Sequence, residues 1–159
     1  MKILSALARL CAILAGVLMT AITLVTCASL IGRNTTGATL LGDYELTAVT
    51  AGAAVALFMP WCQLKRGNII VDFFTAKASA ATQARLDQLG ALLLAGVMLL
   101  LTWRTGIGAV KAWQSNSASM MMGLPEWTVY ICMVPALALT ALIALMQALR
   151  GFHRTPVHA

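Results

Sequence analysis

Four long apolar runs decide what class of fold this chain can adopt. They cover Leu10 to Ile31, Leu46 to Leu64, Leu86 to Val110 and Trp127 to Leu149. Three of them carry no charged side chain, and the third is uncharged from Gln88 to Trp103. A helix rises about 1.5 Å per residue, so roughly 20 residues cross a hydrocarbon core about 30 Å thick. Each run reaches that length once tilt is allowed for. Inside lipid no water satisfies backbone N–H and C=O groups, so each run must be helical.

Composition supports the same class. The chain is 60% hydrophobic and 10% charged, against about 25% charged in a soluble domain. Too few polar groups are present to coat a water-facing globule. The expectation is an all-α membrane protein with four transmembrane helices. Residues 1–150 are expected to form one membrane domain, with 151–159 as a cytoplasmic tail. Lys2 and Arg9 precede the first run, as in a signal peptide, but the run exceeds the 7–15 residues of a signal core. Leu24-Val25-Thr26-Cys27 faintly resembles a lipoprotein cleavage box, with Thr26 ill suited before the cysteine. An uncleaved first helix is the expectation.

Basic residues orient the spans, because cytoplasmic loops are enriched in Lys and Arg. Lys2, Arg9, Lys65, Arg66, Lys77, Arg85, Arg150 and Arg154 fall on one side; Arg33, Arg104 and Lys111 fall on the other. Both termini are therefore expected in the cytoplasm. Asp43, Glu45 and Glu126 lie on the opposite side, and Asp72 and Asp87 on the cytoplasmic side. The net charge of +6 reflects loop charge rather than nucleic acid binding. The basic residues are thinly spread and form no stripe with interleaved aromatics.

Chemistry-bearing clusters are scarce. Cys11, Cys27, Cys62 and Cys132 form no CxxC pair and read as small packing residues. A haem between membrane helices usually needs an axial ligand such as histidine at depth, and the two histidines, His153 and His158, lie in the tail. Proton-coupled pumps usually carry ionisable groups within their spans; the uncharged stretches have none. No P-loop, nucleophile elbow or HExxH motif occurs. Glu45, at the start of the second helix, suits the positive end of the helix dipole. Arg104 can snorkel from the end of the third. Small residues recur as Ala48, Gly52, Ala56 and Pro60, and as Ala136, Thr140, Ala144 and Ala148. Such stripes let helix backbones approach closely in lipid. Trp61, Trp103, Trp127 and Tyr130 sit near expected membrane boundaries.

The connection after the second helix is unusual. It reads Cys62-Gln-Leu-Lys-Arg-Gly-Asn-Ile-Ile-Val-Asp-Phe-Phe74. At 100° per residue, Ile69, Ile70, Phe73 and Phe74 share one face, and Asn68, Asp72 and Thr75 the other. This predicts a short interfacial amphipathic helix between the second and third spans. Lys65 and Arg66 mark the inner boundary. Asp72 is a candidate for a local hydrogen bond or an ion pair with Lys65, Arg66 or a partner.

Four stretches together resemble the small membrane subunit of tripartite ATP-independent periplasmic (TRAP) transporters. They are Gly42-Asp-Tyr-Glu45, Gln63-Leu-Lys-Arg-Gly-Asn-Ile-Ile-Val-Asp-Phe-Phe74, Thr102-Trp-Arg-Thr-Gly106 and Met122-Gly-Leu-Pro-Glu-Trp127 followed by Tyr130. Order and spacing agree over roughly residues 10 to 150. Asn68 stands where many members have histidine, so no histidine role carries over. The resemblance implies a bacterial or archaeal inner-membrane complex importing an organic anion, such as a carboxylate or sugar acid. It implies a large multi-spanning membrane subunit bearing the elevator domain and the sodium sites, and a periplasmic substrate-binding protein. The small subunit would be a stator and scaffold that is not expected to bind substrate itself, and the residues offer it no catalytic, cofactor-binding or metal-binding site. Because the chain ends soon after its fourth run, a separate partner chain is expected. Residues expected to meet the partner or lipid are Glu45, Lys65, Arg66, Asp72, Phe73, Phe74, Arg104, Trp127 and Tyr130.

Two other readings compete. One is an autonomous four-helix transporter acting as a homo-oligomer; small multidrug exporters have this helix count but rely on an acid in the first span, which Leu10 to Ile31 lacks. The other is a membrane enzyme holding a metal on Asp43, Glu45 and Glu126, acids that Arg33 and Lys111 could equally pair with.

Overall fold

The computed structural model describes residues 2–35, 37, 42–65, 67 and 80–150. They form four helices, α1 (Lys2–Thr35), α2 (Asp43–Leu64), α3 (Ala80–Gln114) and α4 (Trp127–Arg150), with no strand among the described residues. All four are long and apolar enough to cross a membrane. The interfacial helix expected over residues 69–74, with Arg66, Asp72, Phe73 and Phe74, lies outside the described residues.

The helices pack as a row rather than a closed bundle. The order across the row is α1–α2–α4–α3: α1 packs on α2, α2 on α4 and α4 on α3. The outer helix α1 reaches α4 only lightly, and among the described residues α3 packs on neither α1 nor α2. Burial follows this order. On α1 the buried residues are Ala8, Ala15, Ile22 and Ser29, one per heptad. A strict seven-residue spacing keeps one narrow seam facing one neighbour. The inner helix α2 buries more of its circumference, at Ala53, Ala54, Ala56, Leu57, Pro60 and Gln63. Alanines make up half of each seam, which lets the helix backbones approach closely.

The two small-residue stripes fare differently. Ala136, Thr140 and Ala144 of the α4 stripe are buried, and Ala148, near the helix end, is half-buried. On α2, Ala56 and Pro60 are buried but Ala48 and Gly52 are exposed. The reason is neighbour geometry: α2 lies between two helices, and its contact surface turns away from the 48–52 line.

Alternating direction follows from the contacts at each end. The first turn of α2 meets the segment that leads into α4, and Gln63 near the end of α2 meets Gln147 near the end of α4. Hence α2 and α4 run parallel, with α1 and α3 antiparallel to them. The outer helices are also longer. With 34 and 35 residues, α1 and α3 are about 50 Å long. Even tilted by about 40°, such a helix spans roughly 39 Å along the membrane normal. Their ends therefore extend past a 30 Å core, which shorter α2 and α4, at 22 and 24 residues, match closely.

Candidate functional site: a junction of two motifs

The stretches Gly42-Asp-Tyr-Glu45 and Met122-Gly-Leu-Pro-Glu-Trp127 meet in space at one end of the row. The connection between α3 and α4 builds one half of this junction. Helix α3 closes with Asn116 in the left-handed region at φ 49°. Asn116 N–H donates to Trp113 O at 3.3 Å and Ser117 N–H to Ala112 O at 3.2 Å, the paired bonds of a Schellman cap. The chain then doubles back as a small hairpin. Ser119 N–H donates to Leu124 O at 2.9 Å, Gly123 N–H to Ser119 O at 3.1 Å and Glu126 N–H to Ser117 O at 3.0 Å. Gly123, at φ 64°, makes the turn. The apex is Met120-Met121-Met122.

The start of α2 supplies the other half. Gly42 precedes the helix at φ 86°, ψ 11° and gives it no side-chain cap. Glu45 does not cap its own helix either. Its carboxylate reaches across to the hairpin and accepts Met121 N–H at 3.1 Å and Met122 N–H at 3.3 Å. Consecutive N–H groups in a turn form a concave anion site, and here the chain fills that site with its own acid. Gly42 is pressed against the same hairpin. A Cβ on Gly42 would overlap Met122 Cγ and lie 3.1 Å from its Sδ. The glycine is needed twice, for its backbone angle and for this close approach.

Asp43 extends the junction to α1. Ser29, buried on the α1 seam, donates its hydroxyl to Asp43 Oδ2 at 2.8 Å. The three acids Asp43, Glu45 and Glu126 do not gather into a group that could hold a metal ion. Two of them are committed to joining elements: Asp43 to α1 and Glu45 to the hairpin.

The remaining expected residues spread over both ends. Trp127 opens α4 and meets Trp113 edge-on, with ring centroids 4.8 Å apart at 69°. The Tyr130 ring lies over Gly108, where a Cβ would meet it at 3.5 Å. Arg104 is exposed on α3, apart from the junction. At the opposite end Lys65 Nζ sits 5.1 Å from the centre of the Trp61 ring, a cation–π contact. That same end holds a glutamine pair with no counterpart among the residues expected from sequence, joined by one bond between the side chains and one to the Gln63 backbone carbonyl. Gln63 Nε2 donates to Gln147 Oε1 at 2.7 Å, and Gln147 Nε2 donates to Gln63 O at 3.0 Å. Two glutamines inside otherwise apolar helix ends were the available signal.

An open apolar groove of about 300 Å³ runs beside the Trp113–Trp127 pair, lined also by Ala109, Val110, Gln114 and Ile131. It lies on the α3–α4 edge of the row.

The family model described as "Tripartite ATP-independent periplasmic transporters, DctQ component" matches residues 22–154. No curated protein and no solved structure matches the chain. The matched region includes both halves of the junction, the amide pair and all or part of every helix. With most of its length matched, this chain belongs to the DctQ family, the small membrane component of tripartite ATP-independent periplasmic transporters.

Proposed function

We propose that the chain is the scaffold and stator subunit of a sodium-coupled importer of an organic anion. It braces a large multi-spanning membrane subunit that carries the sodium and substrate sites. A periplasmic protein delivers the substrate. The complex lies in a bacterial or archaeal cytoplasmic membrane, with both termini of this chain in the cytoplasm.

The observation that carries this reading is the row of helices. A row whose outer helices α1 and α3 do not meet leaves long apolar helix faces uncovered, which a closed bundle would bury. Large apolar side chains are exposed along α1 and α3, among them Leu24, Ile31, Leu93 and Trp103. Membership in a family of tripartite transporter components supports a second membrane component as the neighbour of these faces. The junction acids tie α1, α2 and the hairpin together, which stiffens the wall at one end; the glutamine pair stiffens the other. On this reading residues 69–74 form an interfacial helix on the cytoplasmic surface, with Phe73 and Phe74 in lipid or against the partner.

Reconstitution tests it. The chain should copurify with a large multi-spanning protein, and sodium-driven uptake in liposomes should require both. Uptake by liposomes holding this chain alone would overturn the scaffold role.

A further inference from the structure

The apex of the α3–α4 hairpin places three thioethers in a graded series. Met120 is 100% exposed, Met121 66% and Met122 44%. They are not equivalent in what they touch. Met120 is bare. Met122 lies with Cγ and Sδ against Gly42, while its N–H and that of Met121 donate to Glu45. Met122 thus makes the closest side-chain contact between the hairpin and the start of α2, with Met121 Cβ beside it, and it is still partly open to solvent.

We infer that Met122 is an oxidation site whose conversion to the sulfoxide releases the hairpin from α2. With hydrogen peroxide as oxidant, the thioether sulfur attacks one peroxide oxygen. An S–O bond forms, the O–O bond breaks, and the departing hydroxide takes the proton of the transferred oxygen to leave as water. Sulfur loses two electrons and the peroxide gains them. The product is polar and chiral, with an added oxygen. At Met122 that oxygen appears where the side chain fits closely against the Gly42 backbone. The apolar contact is lost, and the adjoining N–H groups lose the support that aims them at Glu45. At Met120 the same chemistry alters nothing else, because the side chain touches nothing. Met120 is therefore the faster-oxidised, silent position and Met122 the slower, effective one.

The test uses the full chain in lipid nanodiscs, treated with hydrogen peroxide and sampled over time. Peptide mass spectrometry follows sulfoxide at each methionine, and hydrogen exchange follows the backbone amides of residues 119–124. Exchange should accelerate at least tenfold in step with Met122 sulfoxide and not with Met120 sulfoxide. Met122→Leu should keep slow exchange after peroxide, while Met120→Leu should respond like the parent. Methionine sulfoxide reductases should restore slow exchange. Unchanged exchange on full Met122 oxidation, or equal acceleration in Met122→Leu, overturns the inference.

Discussion

Replacing Gly42 with alanine is the sharpest probe of the junction. Gly42 sits at φ 86°, in a region that costs an L-residue about 1–2 kcal/mol. The new Cβ would also overlap Met122 Cγ. Forcing a methyl group into a filled site typically costs about 1–3 kcal/mol. Gly42→Ala should therefore lower the unfolding free energy by about 2–5 kcal/mol. The two contributions are separable. Met122→Ala removes the clash but not the backbone penalty. Gly42→Ala combined with Met122→Ala should then be less harmful than the two single changes added, by at least about 1 kcal/mol. Unfolding of the chain in mixed micelles, followed by tryptophan fluorescence, reads this directly, because Trp113 and Trp127 flank the hairpin. If Gly42→Ala falls within about 0.5 kcal/mol of the parent, or the double change is simply additive, the packed contact is not what makes this position a glycine.

Other predictions follow the same contacts. Glu45→Ala should speed hydrogen exchange at Met121 and Met122, with little effect at Gln63; equal change at both ends would mean general loosening instead. Gln147→Leu removes both amide hydrogen bonds to Gln63 and should destabilise by about 1–3 kcal/mol. Adding Gln63→Leu should return part of that loss, and a double-mutant cycle in micelles measures it. Asp72→Asn should reduce copurification of the large subunit more than it alters substrate affinity of the periplasmic protein; normal assembly would count against a partner contact at Asp72.

Much of the fold was legible because lipid leaves few choices. Uncharged runs of this length must be helical, and their number follows from counting them. The helix ends were less legible. Charge marks where lipid ends, not where a helix ends, so α1 and α3 continue through Arg9, Arg85, Arg104 and Lys111. The candidate site was half legible. Sequence points to Glu45, Trp127 and Tyr130, yet it assigns Glu45 to its own helix. Its partners are backbone N–H groups of Met121 and Met122, and a backbone donor has no sequence signature.

Sequence alone thus determined the class, the number of spans and the family, since hydropathy and motif order are properties of a linear chain. Tertiary structure alone decided the row α1–α2–α4–α3. Alanine is common on all four helices, so small-residue patterns could not say which seams are used. The same holds for the junction. Gly42 and Glu45 stand almost eighty residues before Met121 and Met122, and only the parallel packing of α2 beside α4 brings one motif's acid into the other's turn.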